Sequence, residues 1–199
     1  MVETIARTRI ELQELDPKIW RRVDMPISST LMVLREVIQG AIGWTNTHLF
    51  EFKVGGRRYG EPAPEYDNAG IKVYHTKYMH LKTILERGVK RFSYVYDFGD
   101  NWRHDIIIED VRQGAADIEY PSFVDGERRC PPEDVGSTWG FMNFLEAALD
   151  PTHEKHEKML AWYGKPFDVN EIDEFRVRRR LMMIARRRRG GLMRQRRKD

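Results

Sequence analysis

The stretch that decides the fold is Tyr94-Val95-Tyr96-Asp97-Phe98-Gly99-Asp100-Asn101-Trp102-Arg103-His104, continued by Asp105-Ile106-Ile107-Ile108-Glu109. Phe92, Tyr94 and Tyr96 alternate with Ser93, Val95 and Asp97. Beyond a polar turn, Trp102, His104, Ile106 and Ile108 alternate with Arg103, Asp105, Ile107 and Glu109. A period of two, rich in aromatic and β-branched residues, predicts a β-hairpin. Gly99 is free to take positive φ, and Asp100 and Asn101 can bond the local backbone from their side chains. The turn places two acids and a histidine at one end of a sheet.

Upstream, Thr4 to Leu15 alternates loosely and reads as a strand closed by Asp16-Pro17, and Ile19–Val23 as a second. Ser28-Ser29-Thr30 offers N-caps for a helix whose inner face is Leu31, Leu34, Val37, Ile38 and Ile42, ending at Gly43. His48–Val54 reads as a strand, Gly55-Gly56 as a tight turn into Arg57-Arg58-Tyr59, Gly60–Gly70 as a loop and Ile71–Tyr74 as a short strand. Leu81–Glu86 predicts a short helix with Gly88 as its C-cap.

Downstream, Gln113–Ser137 holds three prolines and reads as a long irregular connection. Trp139–Leu149 predicts a helix with Phe141, Phe144, Leu145 and Leu149 inward. The run from Thr152 or His153 to Tyr163 predicts another, closed by Gly164. Asp168 and Glu171 form a capping-box pattern ahead of a last helix that Gly190-Gly191 should end. That helix has two apolar stripes: Ile172, Phe175 and Met182, then Val177, Leu181 and Ile184. The order of elements predicts an α+β domain over residues 1–175, with a mixed or antiparallel sheet, a central β-hairpin and packing helices. Residues 176–199 then form a basic, helical or disordered tail.

Charge is unevenly distributed. Of 34 Lys and Arg, 12 lie from Arg176 onward beside a single acid, so the remaining 22 face 30 Asp and Glu. The body is acidic and the tail strongly basic. No apolar run approaches the roughly 20 residues that cross a bilayer, and Met1-Val2-Glu3-Thr4-Ile5 lacks a signal-peptide layout. A cytoplasmic protein without membrane contact is the expectation. The single cysteine, Cys130, excludes an internal disulfide and a multi-cysteine zinc site.

Four blocks carry a family resemblance: Pro17-x-Ile19-Trp20-Arg21-Arg22; Ile38-Gln39 with Gly43-Trp44 and His48-Leu49; the Tyr94–His104 hairpin; and Cys130-Pro131-Pro132-Glu133-Asp134. In these the chain resembles the plasmid pRiA ORF-three-like family, also described as insertion-element passenger proteins with a resolvase-like name. The resemblance implies a compact α+β domain and an association with mobile elements; it implies no reaction. The family usually continues the fourth block with Cys-Gly-Gly, where this chain has Val135-Gly136-Ser137. A histidine common before the Val-Ile-Gln segment is here replaced near that place by Arg35. A two-cysteine metal or redox site is therefore excluded for this member.

Among candidate site residues, Asp97, Asp100 and His104 lead, with Glu133 and Asp134 able to complete the set; carboxylates plus imidazole suit Mg²⁺, Mn²⁺ or Zn²⁺. The bland alternative is that the turn acids cap backbone N–H groups and His104 packs against its neighbours. Trp20, Tyr96 and Trp102 are supporting residues. Arg21 and Arg22 are able to hold a phosphate or carboxylate, or to pair with the acidic body. Regular alternation puts them on opposite faces, so only one can join a given site. His153-Glu154-Lys155-His156-Glu157 has its histidines three apart, not the four of a zincin helix, and Cys130 reads as a packed thiol. The tail arginines Arg178, Arg179, Arg180, Arg186, Arg187, Arg188 and Arg189 suit a polyanion such as DNA or RNA, or the acidic body itself. The leading functional reading is a non-enzymatic binding or accessory module with a nucleic-acid-contacting tail. The alternatives are a metal-dependent hydrolase or nuclease using the hairpin acids, and an interaction protein that oligomerises through its last helix.

Overall fold

The computed structural model describes residues 2–62, 70 and 72–195, with side chains through Gly191. Its strands are β1 (Thr4–Leu12), β2 (Trp20–Pro26), β3 (Phe50–Val54), β4 (Arg57–Gly60), β5 (Val73–His75), β6 (Arg91–Tyr96), β7 (Trp102–Gln113) and β8 (Ser122–Glu127). They form one sheet in the order β5-β4-β3-β6-β7-β1-β2-β8. All pairs are antiparallel except β4 with β5, so the fold is α+β with a mixed sheet. The α-helices are α1 (Leu31–Ile42), α2 (Leu81–Glu86), α3 (Ser137–Leu149), α4 (His156–Tyr163) and α5 (Glu174–Gln195).

Alternation along the strands gives the sheet two unlike faces. Val23, Ile10, Leu12, Ile106, Ile108, Phe52 and Tyr94 are buried in one continuous core with Leu31, Leu34 and Ile38 of α1. The opposite face is a charged ladder. Arg9 and Arg22 stack on the Trp20 ring at 4.3 and 4.8 Å, and Arg22 pairs with Glu109 at 2.7 Å across the sheet. Arg21, one residue away, points inward and is buried, as alternation requires.

Helix α1 sits on the inner face and aims the loop beyond its end at the β6–β7 turn. The Thr30 hydroxyl accepts the Val33 N–H at its start, and Gly43 ends it with φ of 106°, a conformation that favours glycine. The last turn has no basic residue of its own. Arg21 donates from Nε to the Ala41 carbonyl at 3.2 Å, and Arg180 from Nη1 to the Trp44 carbonyl at 3.0 Å. Two cations from distant segments thus face the negative end of the helix dipole.

The structure revises several sequence expectations. The connection from Gln113 to Ser137 is not wholly irregular: it contains β8, an edge strand paired with β2. Proline content hid it, and edge strands tolerate proline nearby because one of their sides carries no ladder. The helix expected from residue 152 begins at His156. Asp168 and Glu171 open no helix: Asp168 accepts the Asn170 N–H, Glu171 pairs with Arg129, and α5 begins at Glu174, with Asp173 accepting the Arg176 N–H. Leu149, expected inward, is exposed. The strand expected at His48–Val54 starts at Phe50, and Ile71 lies outside the described residues.

The basic C-terminal segment is a docked helix that continues through Gly190 and Gly191. Glycine costs a helix about 1 kcal/mol relative to alanine without forbidding it. Val177, Leu181 and Ala185 are buried, whereas Phe175 and Met182 are exposed; of the first stripe only Ile172, which precedes the helix, packs against the core. Ion pairs then join the helix to acids of the body: Arg188 with Glu3, Arg189 with Glu119 at 2.6 Å, and Arg187 with Glu36. Exposed pairs of this kind contribute about 0–1 kcal/mol each, so burial holds the helix and charge sets its orientation. Replacing Leu181 by Ala should lower the unfolding free energy by about 2–5 kcal/mol in urea titrations. The exposed Phe175→Ala should change it by less than about 0.5 kcal/mol. Equal, small effects would mean that the helix does not dock.

Candidate metal centre

The β6–β7 turn joins Tyr96 to Trp102, which face each other in register. Its left-handed residues are Asp97 and Asn101, both with φ of 55°, and not Gly99. Asp97 makes the turn by accepting the N–H groups of Gly99 and Asp100 on Oδ1, at 2.9 and 3.4 Å. A Cβ on Gly99 would sit 3.2 Å from that same oxygen, so glycine serves here for closeness rather than for φ.

Two further segments converge on this turn. One is the loop after α1, and the other the Pro-Pro-Glu-Asp block. The Tyr96 hydroxyl accepts the N–H groups of Thr47 and His48, at 3.0 and 3.3 Å, and donates to Glu133 Oε1 at 2.7 Å. The second oxygen of Glu133 accepts the Thr45 N–H and hydroxyl. Trp44 stacks on Tyr96 with centroids 5.1 Å apart and donates its indole N–H to the Pro131 carbonyl at 2.9 Å. Asp100 accepts the Gly136 N–H at 3.1 Å, tying the turn to the start of α3.

His48 is placed by this scaffold. Its Nε2 lies 2.9 Å from Asp134, 3.7 Å from Asp97 and 4.0 Å from Glu133. One ligand atom each from His48, Asp97 and Asp134 falls within 4.8 Å of the others, the spacing of a shared cation. Asp134 is exposed and His48 half-buried, so the group opens to solvent. Burial by itself would lower the His48 pKa. The bond to Asp134 and the charges of Asp97, Asp134 and Glu133 outweigh it, and the imidazole is raised above its ordinary range. Tyr96 is also raised, by burial first and then by its bond to Glu133, so it stays a neutral donor.

Of the residues singled out in the sequence, Asp97, Asp100, Glu133 and Asp134 come to this one end of the sheet. Tyr96 holds Glu133 among them, and Trp102 packs beneath, its ring 5.5 Å from Trp44. His104 does not join them. It follows Trp102 on the inner face and lies in the core, centroids 5.3 Å from Tyr94 and 5.5 Å from Trp44, with Nδ1 on the Trp102 carbonyl. Its Nε2 is buried without a partner among the described residues. Burial lowers its pKa to about 4, so it stays neutral at physiological pH. The imidazole of the cluster is His48, which sequence periodicity assigns to a strand. The signal for it was its place in a family block beside Gly43-Trp44. Trp20 and Arg22 lie on the opposite face of the sheet, and Cys130 is a buried thiol whose pKa burial raises.

The plasmid pRiA4b ORF-3-like model matches residues 4–175. The chain belongs to that family. It is 40% identical over 164 residues to an uncharacterised protein of Sinorhizobium fredii, covering 82% of this chain and 83% of the relative. It also superposes with a TM-score of 0.80 on a crystal structure of a protein of unknown function from Methanosarcina mazei, at 28% identity, covering 88% of this chain and 97% of that one. Among the described residues, no helix is long and apolar enough to cross a membrane.

The two histidines should titrate on opposite sides of the ordinary value. In NMR, His48 should titrate above the usual histidine range and fall back on Asp134→Asn, while His104 should stay neutral until about pH 4. Stability changes with opposite signs. The His48 contribution is present at low pH and lost as pH rises through its raised pKa. The neutral burial of His104 costs stability as pH falls from the ordinary value toward 4, on the order of 3 kcal/mol. A His48 midpoint at or below the ordinary value would contradict the assigned geometry.

Proposed function

We propose that the protein binds a divalent transition-metal ion between His48 Nε2 and the carboxylates of Asp97 and Asp134, and presents the open side of that ion to a ligand. The observation that supports this is the convergence, from three separate segments, of ligand atoms within 4.8 Å of one another. One imidazole with two carboxylates suits Zn²⁺ or Mn²⁺ better than Ca²⁺, which takes an all-oxygen shell. Three protein ligands leave positions for water or ligand, as in metal sites that do chemistry rather than brace a fold. An ion held there would lower the pKa of a bound water, and Glu133 stands beside it as a held acceptor. Metal-held ligand binding is the reading, and metal-assisted hydrolysis is the reaction class such an ion would supply.

A basic tail contacting nucleic acid draws less support. Arg187, Arg188 and Arg189 are engaged with acids of the body, Arg178 with Glu174, and Arg180 with backbone carbonyls. Arg179 and Arg186 have no acid within ion-pair distance among the described residues.

Calorimetric titration of chelator-stripped protein with Zn²⁺ and Mn²⁺ tests the reading. Saturable binding at one ion per chain is expected, weakened roughly 100-fold or more by His48→Ala, more than the 10–100-fold cost of losing an outer-shell partner. Binding should also weaken as pH falls through the raised His48 pKa, because the proton competes with the metal. His104→Phe should leave the affinity unchanged. Equal affinity in His48→Ala and the parent protein would refute the site.

A further inference from the structure

A cleft of about 270 Å³ lies between the C-terminal end of α1, the Cys130-Pro131-Pro132 segment and the start of α5. Arg21 lines it. The residue is only 2% exposed, yet no carboxylate lies within ion-pair distance of it among the described residues. Nε donates to the Ala41 carbonyl, and Nη1 donates to the Trp20 and Glu127 carbonyls at 2.8 and 3.0 Å. Nη2 donates to no protein group among the described residues, and it is not among the fully sealed atoms. A guanidinium cannot shed its charge, and burying an uncompensated ion is costly. Carbonyl dipoles and a helix end worth roughly half a charge offset only part of it.

The rest of the wall is mixed, with Arg129, Lys165 and Arg176 beside Glu133, Glu171 and Asp173. Lys165 and Arg176 stand exposed on it without an acidic partner among the described residues. Its acids are already held. Glu171 is paired with Arg129, Glu133 is bonded to Thr45 and Tyr96, and Asp173 accepts the Arg176 N–H. With Arg129 and Glu171 paired, three cations face two carboxylates that are hydrogen-bonded elsewhere, and neither carboxylate lies within ion-pair distance of Arg21.

We propose that this cleft binds a small oxyanion, the phosphate or carboxylate group of a small molecule, with Arg21 at its floor and Lys165 and Arg176 at its rim. A planar guanidinium with a free terminal nitrogen matches such oxygens. The site does not rest on the metal reading, although Glu133 and Thr45 form a wall common to both.

The experiment titrates the full chain, held in chelator, with inorganic phosphate and separately with acetate, monitored by calorimetry and thermal unfolding. Saturable binding of at least one anion is expected, with a rise in melting temperature; the tighter of the two names the ligand class. The double change Lys165→Gln with Arg176→Gln should weaken that binding about tenfold or more while leaving the ligand-free melting temperature unchanged. Arg21→Lys, which keeps the charge but loses the free terminal guanidinium nitrogen, should weaken it further. Asp134→Asn, in the metal cluster, should leave it unchanged, so failure here is distinct from failure there. Binding of neither anion, or equal affinity in the rim variant, would overturn the proposal.

Discussion

One hydroxyl group orders the functional end of this molecule. Tyr96 is the last residue of β6, and its ring is buried under Trp44. That fixes the oxygen where it can accept two backbone N–H groups from the loop after α1 and donate to Glu133. Each of those loops carries an unpaired backbone or carboxylate group into a partly buried place, where a missing partner would cost about 1–3 kcal/mol. The tyrosine satisfies them together and so fixes their mutual position. His48, Asp97 and Asp134 are close to one another because the segments that carry them are bound to the same atom or its nearest neighbours.

The same economy governs charge. An acidic body and a basic C-terminal segment look, as a string, like a domain with an arm for a polyanion. In the fold much of that complementarity is spent inside the chain. Buried Val177 and Leu181 bring α5 down on α1, and arginines beyond them meet Glu3, Glu36 and Glu119. Arg21 and Arg180 converge on the end of α1, which has no cation of its own. Burial first, and then the charge of Arg176, lower the pKa of Arg180, while Glu133 and Asp173 act to raise it. In the cleft beside that helix end, Arg21 is a buried guanidinium that meets no carboxylate among the described residues.

Much of the fold was legible in the chain because its signals are local. Alternation fixes β6, β7 and the opposite orientations of Arg21 and Arg22. Thr30 and Gly43 bound α1 by chemistry that acts within one turn. The site was legible only in part. Asp97, Asp100, Glu133 and Asp134 stood out as acids in tight turns, but which imidazole joins them depends on a contact between positions 86 residues apart. His104 is nearer in sequence and lies on the wrong face; His48 is distant and lies at the right end. Periodicity places a residue on a face and carries no information on where three loops meet. Strand β8 was missed because the prolines around it read as a loop and its six residues offer little apolar alternation.

The central claim is that a half-exposed imidazole and two carboxylates, held by the Tyr96 scaffold, form one cation site. Zinc K-edge X-ray absorption on the protein loaded with one equivalent of Zn²⁺ addresses it most directly. The account predicts a first shell of nitrogen and oxygen at about 2.0–2.2 Å, with the outer-ring scattering of a single imidazole, lost in His48→Ala. A shell with no imidazole, or one that survives that substitution intact, would contradict it.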